Sequence, residues 1–203
     1  MKSNYVIWDT KDVPHACCLG ELTGVAKQYL LMKGLPRAAD FPIDAYFSMN
    51  PDFPHDTVLT DNLINFNRMI VASLRVKEFL EARRLPRIEY LPVKILDHKK
   101  RPANREYFIL HCLDPVDCLD IEKCGATRSK IDKESIQRIE RLVIDESRVD
   151  PGREMFRPKF FNKISLVHRE LARAMDREGF TAIGWKDLDD YPRPESGAQG
   201  KGL

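Results

Sequence analysis

The stretch of sequence that decides the fold runs from Asn67 to Lys100 and reads NRMIVASLRVKEFLEARRLPRIEYLPVKILDHKK. Its first half carries an apolar stripe at helical spacing, formed by Met69, Ala72, Val76, Phe79 and Leu80. Charged side chains occupy the opposite face, as in an amphipathic helix with one buried side. We predict that this helix begins after a cap at Asp61 or Asn62 and ends before Pro86, because proline lacks the backbone donor.

The second half of the stretch predicts a strand and the start of a hairpin. Apolar and polar residues alternate from Ile88 to Leu96, which is the period of a half-buried strand. Pro92 within this strand indicates an edge position or a bulge. A polar connection follows, and then Glu106–Leu113, the most strand-like segment in the chain. We expect the two strands to pair.

The rest of the chain alternates short strand patterns with short helical ones. Strands are predicted at Tyr5–Trp8, Arg138–Asp145, Met155–Phe156 and Phe180–Trp185. Helices are predicted at Gly20–Met32 and, after a Ser165 cap, at Leu166–Arg177 with Gly179 as the stop. These elements predict an α+β fold, with a mostly antiparallel sheet flanked by a few helices in a single main domain.

The chain has 203 residues, enough for one main domain with a substantial core. We divide it into an N-terminal extension packed on the core (1–60), the α+β domain (61–190) and a tail (191–203) rich in Pro, Gly and Ser that we predict to be disordered. Within the extension, the proline- and aromatic-rich segment Asp40–Asp56 predicts a loop pinned to the core. The alternative is an aromatic platform for a small ligand.

Composition excludes several classes of protein. The formal net charge is +2 and the charges are interspersed, which fits neither a general nucleic-acid binder nor an acidic mimic of nucleic acid. A weak basic run comprises Lys94, Lys99, Lys100, Arg101 and Arg105. The apolar runs are too short to span a bilayer, and the first residues do not have the pattern of a signal peptide. We therefore expect a cytoplasmic protein without a membrane partner and without direct nucleic-acid binding.

The cysteines do not form a disulfide or zinc framework. They are Cys17, Cys18, Cys112, Cys118 and Cys124. Adjacent cysteines rarely bridge each other, and the spacing lacks the close pairs that zinc sites use. We expect free thiols in a reducing compartment and no metal or other cofactor.

Motifs of catalysis are sparse. Gly20–Gly24 lacks the lysine ending of a phosphate-binding loop, and the chain contains neither a nucleophile elbow nor a zinc-protease helix. His111 and Cys112 are adjacent in a predicted strand, so their side chains would face opposite sides. His15 and Cys17 would share a strand face and could form a nucleophile–base pair, although such pairs normally need a third orienting group.

Two acidic runs are the candidate binding residues. The first comprises Asp114, Asp117, Asp120 and Glu122, and the second comprises Asp187, Asp189 and Asp190. Their spacing does not match the calcium-binding loop, which alternates oxygen ligands around a central glycine. Two interpretations remain: a docking patch for a basic partner, or solvated surface loops.

The order and spacing of several short motifs resemble one known family. The motifs lie at Asn67–Ser73, Ile88–Val93 (IEYLPV), Tyr107–Leu110, Cys118–Asp120, Arg141–Ser147 (RLVIDES), Met155–Pro158 (MFRP) and Gly179–Trp185 (GFTAIGW). Over residues 61–190 this sequence resembles immunity-protein family eleven of bacterial polymorphic toxin systems. None of these motifs is catalytic.

The resemblance implies a protein that binds a cognate toxin and blocks it stoichiometrically, in competition between bacteria of the kind that type VI secretion serves. It implies no enzyme activity and no cofactor. If the toxin is basic, the two acidic runs are the expected contacts. The alternatives are an enzyme that uses His15 and Cys17 or the acidic cluster, and a small-ligand-binding or scaffold protein. A homodimer is also compatible with the sequence.

Overall fold

The computed structural model describes residues 2–130 and 132–191. Its strands are β1 (Tyr5–Asp9), β2 (Leu19–Thr23), β3 (Tyr46–Met49), β4 (Asn62–Leu63), β5 (Val71–Ser73), β6 (Ile88–Leu96), β7 (Tyr107–Cys112), β8 (Thr127–Arg128), β9 (Ile136–Arg138), β10 (Met155–Phe156), β11 (Leu166–His168) and β12 (Gly184–Lys186). Its α-helices are α1 (Tyr29–Met32), α2 (Leu74–Ala82) and α3 (Arg169–Glu178), and 3-10 helices lie at Glu146–Arg148 and Leu188–Asp190. The α+β prediction is confirmed, with mixed and antiparallel sheets and short helices.

An antiparallel sheet has the strand order β10-β11-β1-β12, with β1 near its centre. Tyr5 and Ile7 face one apolar cluster, whereas Val6 and Trp8 face another. Because successive side chains of a strand alternate between faces, this sheet is covered on both sides. The predicted strand at the start of the chain is therefore confirmed.

A second sheet has the order β2-β3-β6-β7-β5-β4 and contains the expected hairpin of β6 and β7. β3 joins β6 in parallel, and the other pairs in this sheet are antiparallel. The sheet curls until its edges meet, where Leu19 bridges to Asn65 and Ala16 bridges to Val58. The curl encloses an apolar core that includes Phe47 from the aromatic-rich segment.

The prediction of an edge position for Pro92 is wrong for the strand as a whole, because β6 lies between β3 and β7. The pairing with β3, however, covers only Lys94 to Leu96. At Pro92 the strand therefore has only β7 as a partner, opposite Phe108. The missing backbone donor of proline is tolerated where one side of a strand is unpaired.

The predicted helix before Pro86 is shorter than expected. Residues 60–73 form β4, β5 and the turn between them, and Ser73 instead of Asp61 or Asn62 is the residue before the first turn of α2. The apolar residues at 69–72 are buried in β5 and immediately before it, packed in two different core clusters. Pairing with β7 therefore overrides the helical pattern at this point.

The other two helix predictions are also corrected. The helix predicted at Gly20–Met32 is wrong in its first part, which forms β2, and only α1 remains. Leu166–His168 is a strand, so α3 begins after it and the Nδ1 atom of His168, not Ser165, accepts from the Glu170 amide at 3.3 Å. Gly179 ends α3 as predicted.

The strand predicted at Arg138–Asp145 is also wrong. Ile139 and Leu142 are buried in the cluster that covers one face of the four-stranded sheet. The segment therefore alternates because single side chains insert into that cluster, not because it pairs along its length. A bridge between Leu119 and Ile144 is its link to the preceding loop.

Three apolar clusters hold the protein together. One fills the curled sheet, one covers the outer face of the four-stranded sheet, and the third lies between the sheets with α2 and α3. Residues within 1–60 contribute strands to both sheets. The predicted disorder of the tail concerns residues 192–203, which lie outside the described residues.

Candidate partner-binding site

The first acidic run lies against the segment Leu142–Glu146. The amide of Asp120 donates to the carbonyl of Val143 at 3.0 Å, and the amide of Asp145 donates to the carbonyl of Cys118 at 2.7 Å. These two bonds hold the acidic loop in a fixed position along that segment.

The second acidic run lies on the other side of the same segment. A groove of about 480 Å³ lies between this segment and the second run, lined by residues 142–144, Glu146, the N-terminal residues 2–4, Leu188 and Asp189. Leu142 and Leu188 are buried and give the groove an apolar lining. The structure thus brings together two runs that are about seventy positions apart in the sequence.

Three of the seven acidic side chains are already paired. Asp187 contacts Lys2 at 2.7 Å and Arg169 at 2.5 Å. Asp120 pairs with Lys123 at 2.8 Å, and Asp114 pairs with Arg87 at 2.9 Å. Hydrogen bonding to Lys2 lowers the pKa of Asp187, and hydrogen bonding to Lys123 lowers the pKa of Asp120.

The remaining four acidic side chains are exposed: Asp117, Glu122, Asp189 and Asp190. None of them forms an ion pair with another residue in the part of the chain that the structure describes. Asp114 is set apart from the groove, since its amide donates to the carbonyl of Gly34 beside α1. The lining of the groove therefore carries uncompensated negative charge at Asp189, whereas Asp117 and Glu122 belong to the neighbouring acidic loop and do not line the groove.

The N-terminal wall of the groove was not predicted from the sequence. The carboxylate of Glu146 accepts from the Ser3 hydroxyl at 2.6 Å and from the Asn4 side chain and backbone at 2.8 and 3.0 Å. Burial acts to raise the pKa of Glu146, but these hydrogen bonds outweigh it and the net shift is downward. Only long-range packing brings residues 3 and 146 together, so no local pattern could have indicated this wall.

The two residues of the candidate nucleophile pair lie in different environments, since one is buried and the other is exposed. Cys17 is 1% exposed, and burial raises the pKa of its thiol to about 12. His15 is exposed and lies 3.6 Å from Asp56. A protonated thiol in the core is a poor nucleophile, because the thiolate is the reactive form.

The structure also bears on three other features considered from the sequence: a metal site, the aromatic-rich segment and membrane-spanning helices. Within residues 2–130 and 132–191, no group of three His, Cys, Asp or Glu side chains is arranged to hold a metal ion. Phe47 is buried and Phe41 packs against the same core, so these aromatic residues do pack on the core, but Phe47 lies in β3 and the segment is not a loop throughout as predicted. No helix among the described residues has the length and apolarity needed to cross a membrane.

The fold and the groove define an α+β protein with a shaped, acid-edged surface. The chain matches the Immunity protein family (Imm11) over residues 14–190 and belongs to that family. The match confirms the resemblance and extends it, since it begins well before residue 61. No curated protein matches the chain.

Proposed function

We propose that this immunity protein neutralises a cognate toxin by binding it stoichiometrically, with no bond made or broken. Family membership supports a protective role. The groove is the observation that carries the mode of action, because it offers a shaped surface with an apolar lining and the unpaired carboxylate of Asp189. Three further unpaired carboxylates belong to the two acidic runs beside it. Such a surface needs no nucleophile, cofactor or metal.

The charge of the groove and of the two acidic runs indicates the kind of partner. Exposed carboxylates at Asp117, Glu122, Asp189 and Asp190 attract a basic surface, as a nuclease toxin would present. Because the charge of the whole chain is nearly balanced, this local field would act on the approach and orientation of the toxin more than on the protein's general behaviour.

The setting follows from the same proposal. The protein would act in the cytoplasm of the cell that it protects, against a polymorphic toxin delivered by neighbours through a system such as type VI secretion. Its partner would be the toxin itself, without membrane or direct nucleic-acid binding. Self-association into a homodimer is a separate property that sedimentation of the free chain would measure.

A titration distinguishes binding from catalysis. Purified chain is added in steps to the toxin domain encoded beside its gene, and the remaining toxin activity is measured after a short and a long incubation. A stoichiometric inhibitor gives activity that falls linearly to zero at one equivalent, at both times. Complete inactivation by a small fraction of an equivalent, growing with time, would show that the chain is an enzyme.

A Cys17→Ala variant is the matched control for the enzymatic alternative. The thiol lies in the core of the curled sheet, so we expect the variant to keep the equimolar end point. If protection disappeared while the variant stayed folded, the thiol would be part of the mechanism and the proposal would fail.

A further inference from the structure

The turn at residues 64–68, which joins β4 to β5, holds three large side chains outward. Ile64 is 50% exposed and Phe66 is 58% exposed. Arg68 is exposed as well, whereas the two asparagines between these residues are turned toward the protein. This alternation places two apolar side chains and one cation on the same outer side of the turn.

The two asparagines fix the turn in place. The Asn65 amide donates to the carbonyls of Leu63 and Met69 at 3.1 and 2.7 Å, and its oxygen accepts from the Met69 amide at 3.1 Å. The oxygen of Asn67 accepts from the Leu22 amide at 2.7 Å, which ties the turn to β2. A turn held by side-chain bonds at both positions is ordered before any partner arrives.

Arg68 has unusual local surroundings. Its φ of 55° is in the left-handed region, which residues other than glycine rarely occupy. Its guanidinium forms no ion pair within the described parts of the chain, and it lines the mouth of a cleft of about 320 Å³ beside Ile64. Among the described residues no carboxylate pairs with this cation, which lies next to two exposed apolar side chains.

We propose that the 64–68 turn is an anchor for the toxin, an inference that rests on the proposed function. Ile64 and Phe66 would enter an apolar pocket of the toxin, and a carboxylate on the rim of that pocket would pair with Arg68. Aromatic and arginine anchors dominate the energy of protein interfaces. Because the turn is already ordered, less conformational entropy is lost when the toxin binds.

The turn and the groove can contact one partner. Asp189 lines the groove, and Tyr191 follows two residues later. Arg68 lies close enough to Tyr191 for its charge to act against the burial that raises the pKa of that phenol. Residues 189–191 therefore connect the two surfaces. A toxin that spans both would place basic residues opposite the acidic groove and a carboxylate opposite Arg68.

The test compares turn variants with matched variants elsewhere. Phe66→Ala and Arg68→Asn are measured by calorimetric titration with the toxin domain encoded beside the gene. Asparagine tolerates the left-handed backbone, so it removes the charge without straining the turn. We expect each variant to bind at least about 30-fold more weakly, as loss of an interface anchor does.

Two controls match the chemistry and exposure of these positions. Phe53→Ala removes another aromatic ring that is 47% exposed. Arg84→Asn replaces another exposed arginine with a left-handed backbone, at φ 53°. Both controls should bind like the parent chain, and all four variants should keep its melting temperature within a few degrees.

The outcomes separate the two proposals. If the parent chain does not bind the toxin, the proposed function fails and the anchor fails with it. If the parent binds and the turn variants bind equally well, the anchor is wrong while the proposed function stands. If only Arg68→Asn weakens binding, the turn supplies a charge contact and the apolar anchor is overturned.

Discussion

The carboxylate of Asp61 binds Thr181 through a single oxygen, which accepts from the threonine amide at 2.8 Å and from its hydroxyl at 2.9 Å. Asp61 directly precedes β4 of the curled sheet, and Thr181 lies between α3 and β12 of the other sheet. The second carboxylate oxygen accepts from the Ser73 hydroxyl at 2.7 Å. This one side chain therefore links the two sheets through hydrogen bonds, in addition to the apolar cluster that lies between them.

Replacing Asp61 by Asn should destabilise the protein. In asparagine one of the two carboxylate oxygens is replaced by an NH2 group, which cannot accept a hydrogen bond. Either the Thr181 donors or the Ser73 hydroxyl would therefore lose their acceptor. Leaving buried donors unpaired costs about 2 to 3 kcal/mol. Urea unfolding should show this loss in the free energy of unfolding. An unchanged free energy would mean that water replaces the carboxylate and that the link is dispensable.

The Asp61 link should also depend on pH. Burial acts to raise the pKa of Asp61, but the hydrogen bonds from Thr181 and Ser73 outweigh it, and the net shift is downward. The stabilisation is therefore fully present above the ordinary aspartate pKa of about 4 and is lost as the pH falls through the lower folded value. The difference in unfolding free energy between the parent and Asp61→Asn should shrink on acidification. A difference that is constant with pH would contradict this origin.

Gly179 should be required for its backbone conformation rather than for space. Its φ is 67°, and a Cβ atom added there would meet nothing within 4 Å. Gly179→Ala should therefore lower the free energy of unfolding by about 1 kcal/mol through strain alone. Gly152→Ala is the matched control, because that site is equally open but has no positive φ. Equal effects at the two glycines would refute the argument.

The thiols should differ sharply in reactivity. Cys17, Cys112, Cys118 and Cys124 are at most 1% exposed, whereas Cys18 is half-buried. Burial also raises the pKa of Cys18, so its reaction should be slow but complete. Titration of the native protein with an aromatic disulfide reagent should label one thiol, and Cys18→Ser should abolish that labelling. Rapid reaction of Cys17 would revive the catalytic alternative.

The sequence predicted the long hairpin and the class of the fold, but it missed the short strands β5 and β11. β6 and β7 lie close in the chain, and their alternation persists over enough residues to be recognised. β5 and β11 have three residues each and run directly into helices, so their apolar positions continue the helical stripe. Their strand conformation is set by partners that are distant in sequence, such as Ile7 opposite Leu166.

The candidate site shows the same division between local and distant information. Both acidic runs are visible in the sequence, and their local composition suggested a surface role. Which carboxylates remain unpaired depends on Lys2, Arg87 and Arg169, whose contacts only the folded chain establishes. The outward alternation at residues 64–68 could not be predicted, because the same residues fit the pattern of a helix.

Reversing three unpaired charges of the two acidic runs should weaken toxin binding mainly by slowing association. The variant Asp117→Lys, Glu122→Lys and Asp189→Lys removes three exposed carboxylates that have no ion pair among the described residues. Charge at an interface acts over distance and steers the encounter, so the association rate should fall about tenfold or more at low salt. High salt should reduce the difference in association rate between the variant and the parent chain, because at 0.1 M salt exposed charges more than about 10 Å apart are largely screened from each other.

A second set of three exposed carboxylates provides the control for this charge reversal. Asp12, Asp44 and Asp52 lie in the first part of the chain, outside the groove, and their reversal changes the net charge by the same amount without altering the groove. Stopped-flow measurements of both variants against the same toxin would separate local from global charge. If the two variants slow association equally, the groove does not steer the toxin. If neither does, the acidic runs are solvated loops and contact must lie elsewhere, with the 64–68 turn as the remaining surface to test.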